Sequence, residues 1–350
     1  MLGTMKAVVF KDVEKLELCE LPIPKCPRDG LLVKIHACGI CGGDVRNYHN
    51  GLKGGVKNQI MGHEIAGEVI EVGENAPRFK AGDRVALAPD VSCGNCWYCQ
   101  RGMVNLCDHH RMLGTHFPGG YAQYIALTGE IITHGFVEPI PKDMPWEHAA
   151  FAETVSAVLA CLKRVNVSLG DSILIIGDGP VGCLFIEAAR AIGAAPIMLA
   201  GLDRLSLAES FQPDLLLDNR DPDAVEKAVM EVTDGVGADF VILALPSVRP
   251  QAQALSLARK RGTVVIYGGV PKHATETTLD SNLIHYAEIT VSGAFSYPKT
   301  GLADALSAIH RGKISPDKYI GARVSLSRVV EGMEMIERGE ALKVIINPWS

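Results

Sequence analysis

SILIIGDGPVGCLFIEAARAI, residues 172–192, joins two periodicities across a glycine-rich turn. Ser172 to Ile176 is a continuous apolar run, the pattern of a strand buried on both faces. Pro180 to Ile192 then places Val181, Leu184, Phe185, Ala188 and Ile192 on one face of a helix. Between them Gly177, Gly179 and Gly182 spell G-x-G-x-x-G. The first glycine permits a tight turn, the second lets a pyrophosphate approach the backbone, and the third lets helix and strand pack closely. Amides at the helix start, of Val181 and Gly182 just after Pro180, would hold the phosphates. The motif alone is weak, since a glycine-rich turn needs no ligand. Its place between a buried strand and an amphipathic helix makes it strong.

Working outward, Ile197 to Ala200, Leu215 to Leu217, Phe240 to Leu243, Thr263 to Tyr267 and Ile289 to Gly293 read as further buried strands, with helical segments between most of them. Together they predict a doubly wound parallel α/β sheet, a Rossmann fold. The first hundred and fifty or so residues differ: short strands such as Leu31 to Ala37 and Glu64 to Val72 are punctuated by glycine and proline, the texture of a mostly β domain. Pro145 to Val165 reads as a long helix linking the two. After Gly293 come helices near Leu302 to His310 and Ser327 to Arg338, then a terminal strand, Lys343 to Ile346, that returns to the first domain. The expected organisation is therefore a β domain over 1–153, a nucleotide-binding domain over 154–296, and a return to the first over 297–350. There is no internal repeat.

At the adenosine end of such a site, an acid about twenty residues past the glycine loop should bind the ribose of NAD. Gly201 stands in that place, with Asp203 and Arg204 just beyond. Asp203 suits NAD and Arg204 suits the 2′-phosphate of NADP, so the sequence leaves NAD and NADP both open. Either residue also serves as a solvated cap of the next helix.

Across 350 residues the formal charge is −6, with acids and bases interspersed, which gives no reason to expect a nucleic-acid or anionic-membrane partner. The longest apolar stretch, Ser172 to Leu202, is broken by Asp178, Glu187 and Arg190 and is no membrane span. The ten cysteines, with no export signal ahead of the first strand, point to a cytoplasmic protein with thiols as ligands and core residues. Cys19, Cys26, Cys38, Cys161 and Cys183 read as small core residues. Cys93, Cys96, Cys99 and Cys107 have gaps of two, two and seven residues. Disulfides at that spacing would close strained rings, and a nucleic-acid zinc ribbon would place its second pair farther on in a basic chain. A closed structural zinc site in a lobe spanning about residues 90–110 is the remaining reading.

Several stretches, in order from about Met5 to the C-terminus, resemble the zinc-containing medium-chain dehydrogenase/reductase family, and its sorbitol/polyol and threonine dehydrogenase branch in particular. Gly39-Ile40-Cys41-Gly42-Gly43-Asp44 is similar to the box of its first catalytic ligand, and Gly62-His63-Glu64 with Gly67, Val69 and Gly73 to the second. The cysteine cluster resembles its structural-zinc lobe, Gly119 to Tyr124 the strand that follows, and Phe151-Ala152-Glu153 the position of a ligand glutamate. The resemblance implies a GroES-like catalytic domain, a Rossmann domain with a cleft between them, two Zn²⁺ per chain, NAD or NADP, a small alcohol or ketone substrate, and a homodimer or homotetramer. It also implies Cys41, His63 and Glu153 as catalytic zinc ligands, Asp44 orienting His63, Glu64 close to or exchanging onto the metal, and Gly268, Gly269 and Val270 beside the nicotinamide. A soft thiolate, an imidazole and a carboxylate keep zinc Lewis acidic with one position open, chemistry suited to moving hydride between a secondary alcohol and a nicotinamide.

Two departures bear on that expectation. Gly43 stands where relatives carry a Ser or Thr that begins the proton relay, and Arg46 replaces a histidine. Tyr48 and Phe295 are candidate pocket walls, or simply core aromatics; Lys343 reads as a surface residue or a phosphate contact. The favoured reading is a zinc-dependent dehydrogenase of a polyol, sugar or sugar acid. The alternatives are an L-threonine 3-dehydrogenase and a non-catalytic NAD(P)H sensor.

Overall fold

The structure, a computed structural model, describes residues 3–76, 78–271 and 273–350. It divides into two compact units, Met1–Ser156 with Tyr297–Ser350, and Ala157–Ser296. The division falls within the helix Trp146–Arg164.

In the first unit the strand Leu31–Ile40 is the organising element. Eight of its ten residues are buried, because it lies inside a seven-stranded sheet. Glu64–Val72 pairs antiparallel with it on one side, and the terminal strand Lys343–Asn347 does so on the other. Val344, Ile345 and Ile346 are at most 1 % exposed. Burial of each contributes roughly 1.5–3 kcal/mol, enough to hold the end of the chain in this sheet. Two strands escape the periodicity argument. Lys15–Pro22 pairs with Thr4–Asp12 but is mostly solvated, and Ile320–Ser325, which runs parallel to the terminal strand, buries only Ile320 and Val324. Neither offers the apolar run that marks an interior strand.

Register matters more than content here. Glu64 lies opposite Gly39, and Val344 lies opposite Ile40. The residue that follows one strand, Cys41, and the residues that begin two others, Glu64 and Lys343, therefore arrive at one end of the sheet.

The second unit holds six parallel strands: β1 (Ile173–Ile176), β2 (Ile197–Gly201), β3 (Leu215–Asp218), β4 (Ala238–Leu243), β5 (Ala258–Ile266) and β6 (Thr290–Gly293), in the order β3-β2-β1-β4-β5-β6. The order reverses direction between β1 and β4, where open α/β sheets bind ligands beyond the strand ends. Helix α1 (Pro180–Ile192) follows β1 through the glycine loop, with Gly179 as its N-cap, Pro180 in its first turn and Gly193, at φ 94°, closing it. Gly177 turns at φ 126°. A Cβ on Gly182 would lie 1.8 Å from the Gly177 carbonyl oxygen, so only glycine lets the helix start this close to the strand. No helix among the described residues is long and apolar enough to cross a membrane.

Candidate active site

Cys41 is both the residue that leaves the central strand and the N-cap of the helix Gly42–Asn50. Its Sγ accepts from the Gly43 amide at 3.4 Å, while its own amide donates to Asp44 Oδ2 at 3.1 Å, a reciprocal cap that fixes both side chains. His63 follows Gly62, whose φ of 89° and 2.3 Å clearance between a would-be Cβ and the Tyr121 ring exclude any larger residue. Sγ of Cys41, a ring nitrogen of His63 and a carboxylate oxygen of Glu64 all lie within 4.8 Å of one another.

Asp44 orders this group from beneath. It is 2 % exposed, takes a hydrogen bond from the Tyr121 hydroxyl at 2.9 Å, and places Oδ1 3.2 Å from His63 Nδ1. With Nδ1 committed to a carboxylate, Nε2 is the nitrogen left for a metal. Burial opposes both charges, yet their attraction prevails: the Asp44 carboxyl is held below its usual range and the His63 imidazole is pushed above its own.

Glu64 is fully buried, and a Cβ on Gly39 would overlap its Oε2, so the glycine of the ligand box makes room for this carboxylate. Both its oxygens accept from Lys343 Nζ, at 2.6 and 2.8 Å, and Oε1 also accepts from Thr154 Oγ1 at 3.0 Å. Burial works against the Lys343 ammonium, but Glu64 and Cys41 keep its pKa raised. Lys343 is thus neither a surface residue nor a phosphate contact. Its signal in the sequence is a lone cation opening an otherwise apolar buried strand, a position that demands a partner.

Glu153, on the helix Trp146–Arg164, is not among the three donors that converge. Its carboxylate accepts from the Tyr297 hydroxyl at 3.0 Å, and burial raises its pKa to about 7 against the opposing pull of His63. Tyr121, Tyr297 and Thr154 were not singled out by the sequence, because each acts through a contact far along the chain. Arg46 is exposed, and the Tyr48 hydroxyl donates to the Glu14 carbonyl at 3.0 Å.

The second donor cluster is local. The sulfurs of Cys93, Cys96, Cys99 and Cys107 lie within 4.8 Å of one another, as tetrahedral zinc requires. Left-handed Gly94 and Gly102 turn the loops between them. The Cys99 amide lowers Cys96 to about 6, whereas burial pushes Cys107 up to about 12, so a cation is needed to ionise the whole set. Both donor sets fit zinc: the first mixes S, N and O, the second is all thiolate.

In the second unit, Gly177, Gly179, Pro180, Val181 and Gly182 form the turn and first residues of α1, with Gly179 as N-cap and no side chain capping the helix start. Gly201 ends β2, and Asp203 is paired with Arg220 at 2.6 Å. Gly268 packs where a Cβ would come within 2.2 Å of the Leu245 carbonyl oxygen, just past β5, with Val270 half-buried beyond it. Phe295 is 62 % exposed.

Comparison with known proteins accords with both units. Residues 27–138 match the family described as alcohol dehydrogenase GroES-like domain, and residues 180–311 match that described as zinc-binding dehydrogenase. The sorbitol dehydrogenase of Bacillus subtilis (strain 168) is 32 % identical, with 98 % of this chain and 97 % of that protein covered. The D-arabitol-phosphate dehydrogenase of Enterococcus avium is 31 % identical over 99 % and 98 %. Among solved structures, a zinc-binding dehydrogenase from Sinorhizobium meliloti 1021 bound to NADP superposes with a TM-score of 0.90 at 30 % identity, over 99 % of this chain and all of that one. The chain belongs to the zinc-containing medium-chain dehydrogenase/reductase family of the alcohol dehydrogenase superfamily.

Proposed function

We propose that this chain interconverts a secondary alcohol of a polyol, sugar or sugar acid with its ketone. The observation that carries the reading is the convergence of Cys41, His63 and Glu64 over a buried Asp44, in a chain whose relatives include sorbitol, arabitol-phosphate and erythritol/L-threitol dehydrogenases. Cys41 and His63 would hold the reactive zinc, and a carboxylate would complete the set. Glu64 is nearest, but Lys343 engages both its oxygens, so we assign the third position to Glu153, which spends one acceptor site on Tyr297. Cys93, Cys96, Cys99 and Cys107 would hold the second, closed zinc. The turn from Gly177 to Gly182 would seat the dinucleotide phosphates, with Gly268 and Val270 toward the nicotinamide.

Zinc would supply Lewis acidity toward the substrate oxygen, and the nicotinamide would accept or return the hydride. The residues supply the rest. Asp44 fixes the tautomer and ring plane of His63; Lys343 holds the Glu64 carboxylate in place through both its oxygens; Tyr297 orients Glu153. Gly43 offers no hydroxyl, so the alcohol proton would leave by ordered water, the nucleotide ribose or Glu64. Ten free cysteines support a cytoplasmic setting, and the family resemblance supports a homodimer or homotetramer.

The test is absorbance of the reduced nicotinamide with zinc-loaded protein, both cofactors, and a panel of polyols, sugar acids and L-threonine. Turnover with a polyol or sugar acid is expected. Turnover with L-threonine alone would favour the activity named for a Pyrococcus horikoshii relative that is 30 % identical. Nucleotide binding at full zinc loading without any turnover would leave a cofactor sensor.

A further inference from the structure

β2 ends in Gly201, where a dinucleotide fold that prefers NAD needs an acid for the adenosine ribose. The acid arrives from the glycine loop instead. Asp178, between Gly177 and Gly179, lies across Gly201: a Cβ there would sit 2.4 Å from Asp178 Cβ and 2.7 Å from its Oδ2. The volume a strand-borne side chain would use is already filled by a carboxylate. Its Oδ2 accepts from the amides of Leu202, at 2.8 Å, and Arg204, at 2.7 Å, which fixes it at the strand end. Those two bonds leave the carboxylate acceptor sites of the kind a ribose diol requires.

The charges around it point the same way. Arg220 reaches back to the Leu202 carbonyl at 2.7 Å, to Asp203 at 2.6 Å and to Asp218 at 3.2 Å. Its guanidinium is thus shared between two carboxylates. Even with Arg204 counted in full, Asp178, Asp203 and Asp218 outnumber the two arginines. A 2′-phosphate would bring nearly two further negative charges into that field.

We propose that Asp178 is the ribose-binding acid of this chain, moved from the end of the second strand into the glycine loop, and that it selects NAD over NADP. Gly201 is the necessary companion, since any side chain there would expel Asp178. The inference rests on reading this unit as a dinucleotide site, and the test separates the two.

Zinc-loaded protein is titrated with NADH and with NADPH, following nucleotide fluorescence, so that affinity is read without turnover. NADH should bind about tenfold or more tighter. Asp178→Asn retains an acceptor for both amides and removes only the charge; it should narrow the NADH-to-NADPH ratio about fivefold, chiefly by improving NADPH. Asp178→Ala should weaken NADH, and adding Gly201→Asp, which puts an acid back on the strand, should restore it. Equal affinities or an NADPH preference in the wild type would overturn the proposal, as would an unchanged ratio in a folded Asp178→Asn protein. Should the folded wild type bind neither nucleotide, the dinucleotide reading falls first and the selectivity with it.

Discussion

The two donor clusters of the first unit use related atoms in opposite ways. Cys93, Cys96, Cys99 and Cys107 come from one short stretch, contribute one donor type and converge within 4.8 Å of one another, with three of the four thiols only half-buried. Cys41 comes from the end of one strand and the adjacent His63 and Glu64 from the start of its neighbour; they mix three donor types and rest on buried charge that includes Asp44 and Lys343. A closed set built on its own loops can stabilise only the lobe that carries it. An open set held by the sheet's register inherits the rigidity of the core, which is what a reactive centre needs.

The sharpest way to break that contrast is to change one thiol in each. Cys41→Ser should lower turnover about 10³-fold or more and reduce zinc from two ions per chain to one, with the melting temperature held within about 2 °C. Cys99→Ser should also cost one zinc, but should lower the melting temperature by about 5 °C or more while the remaining folded protein turns over normally. If the two variants exchange phenotypes, the roles assigned to the clusters are reversed.

The buried layer predicts the next effect. Lys343→Met would strand Glu64, fully buried, without its counter-charge, and should destabilise the protein by about 3–5 kcal/mol in denaturant unfolding. Pairing it with Glu64→Gln should recover much of that loss, because two neutral groups no longer require each other. A double variant no more stable than the single one would mean that Lys343 matters for packing and not for charge.

These residues also mark where the sequence was readable. The cysteine lobe, the glycine loop and the six-strand succession each occupy contiguous sequence, so spacing and periodicity carry them. Cys41, Asp44 and His63 were legible through their short boxes. Lys343, Tyr121, Tyr297 and Thr154 were not, because their meaning lies in which strand pairs with which: Val344 opposite Ile40 and Glu64 opposite Gly39 is information no local window contains. Asp178 lay in plain view inside the glycine motif, yet only the crowding against Gly201 gives it a partner.

A smaller effect sharpens the role of the layer beneath His63. Asp44→Asn keeps the shape but exchanges the anion for an amide, and should weaken zinc retention at the open site about 10–100-fold in competition with a chelator, leaving the thiolate site unchanged. Equal loss from both sites would point to general loosening of the unit.

The smallest expected change concerns the missing hydroxyl. A Cβ on Gly43 would meet Cys41 Sγ at 3.7 Å and His63 Cε1 at 4.0 Å, ordinary contacts, so Gly43→Ser fits without displacing either donor. If proton departure limits alcohol oxidation, the new hydroxyl gives it a shorter first step, and turnover should change about two- to fivefold with a shifted pH profile. The thiolate lobe, assigned no part in moving the proton, should not respond: its zinc content and the melting temperature should match the parent. An unchanged pH profile at full zinc loading would show that water already carries the proton as fast as a side chain could, and that the glycine costs this site nothing.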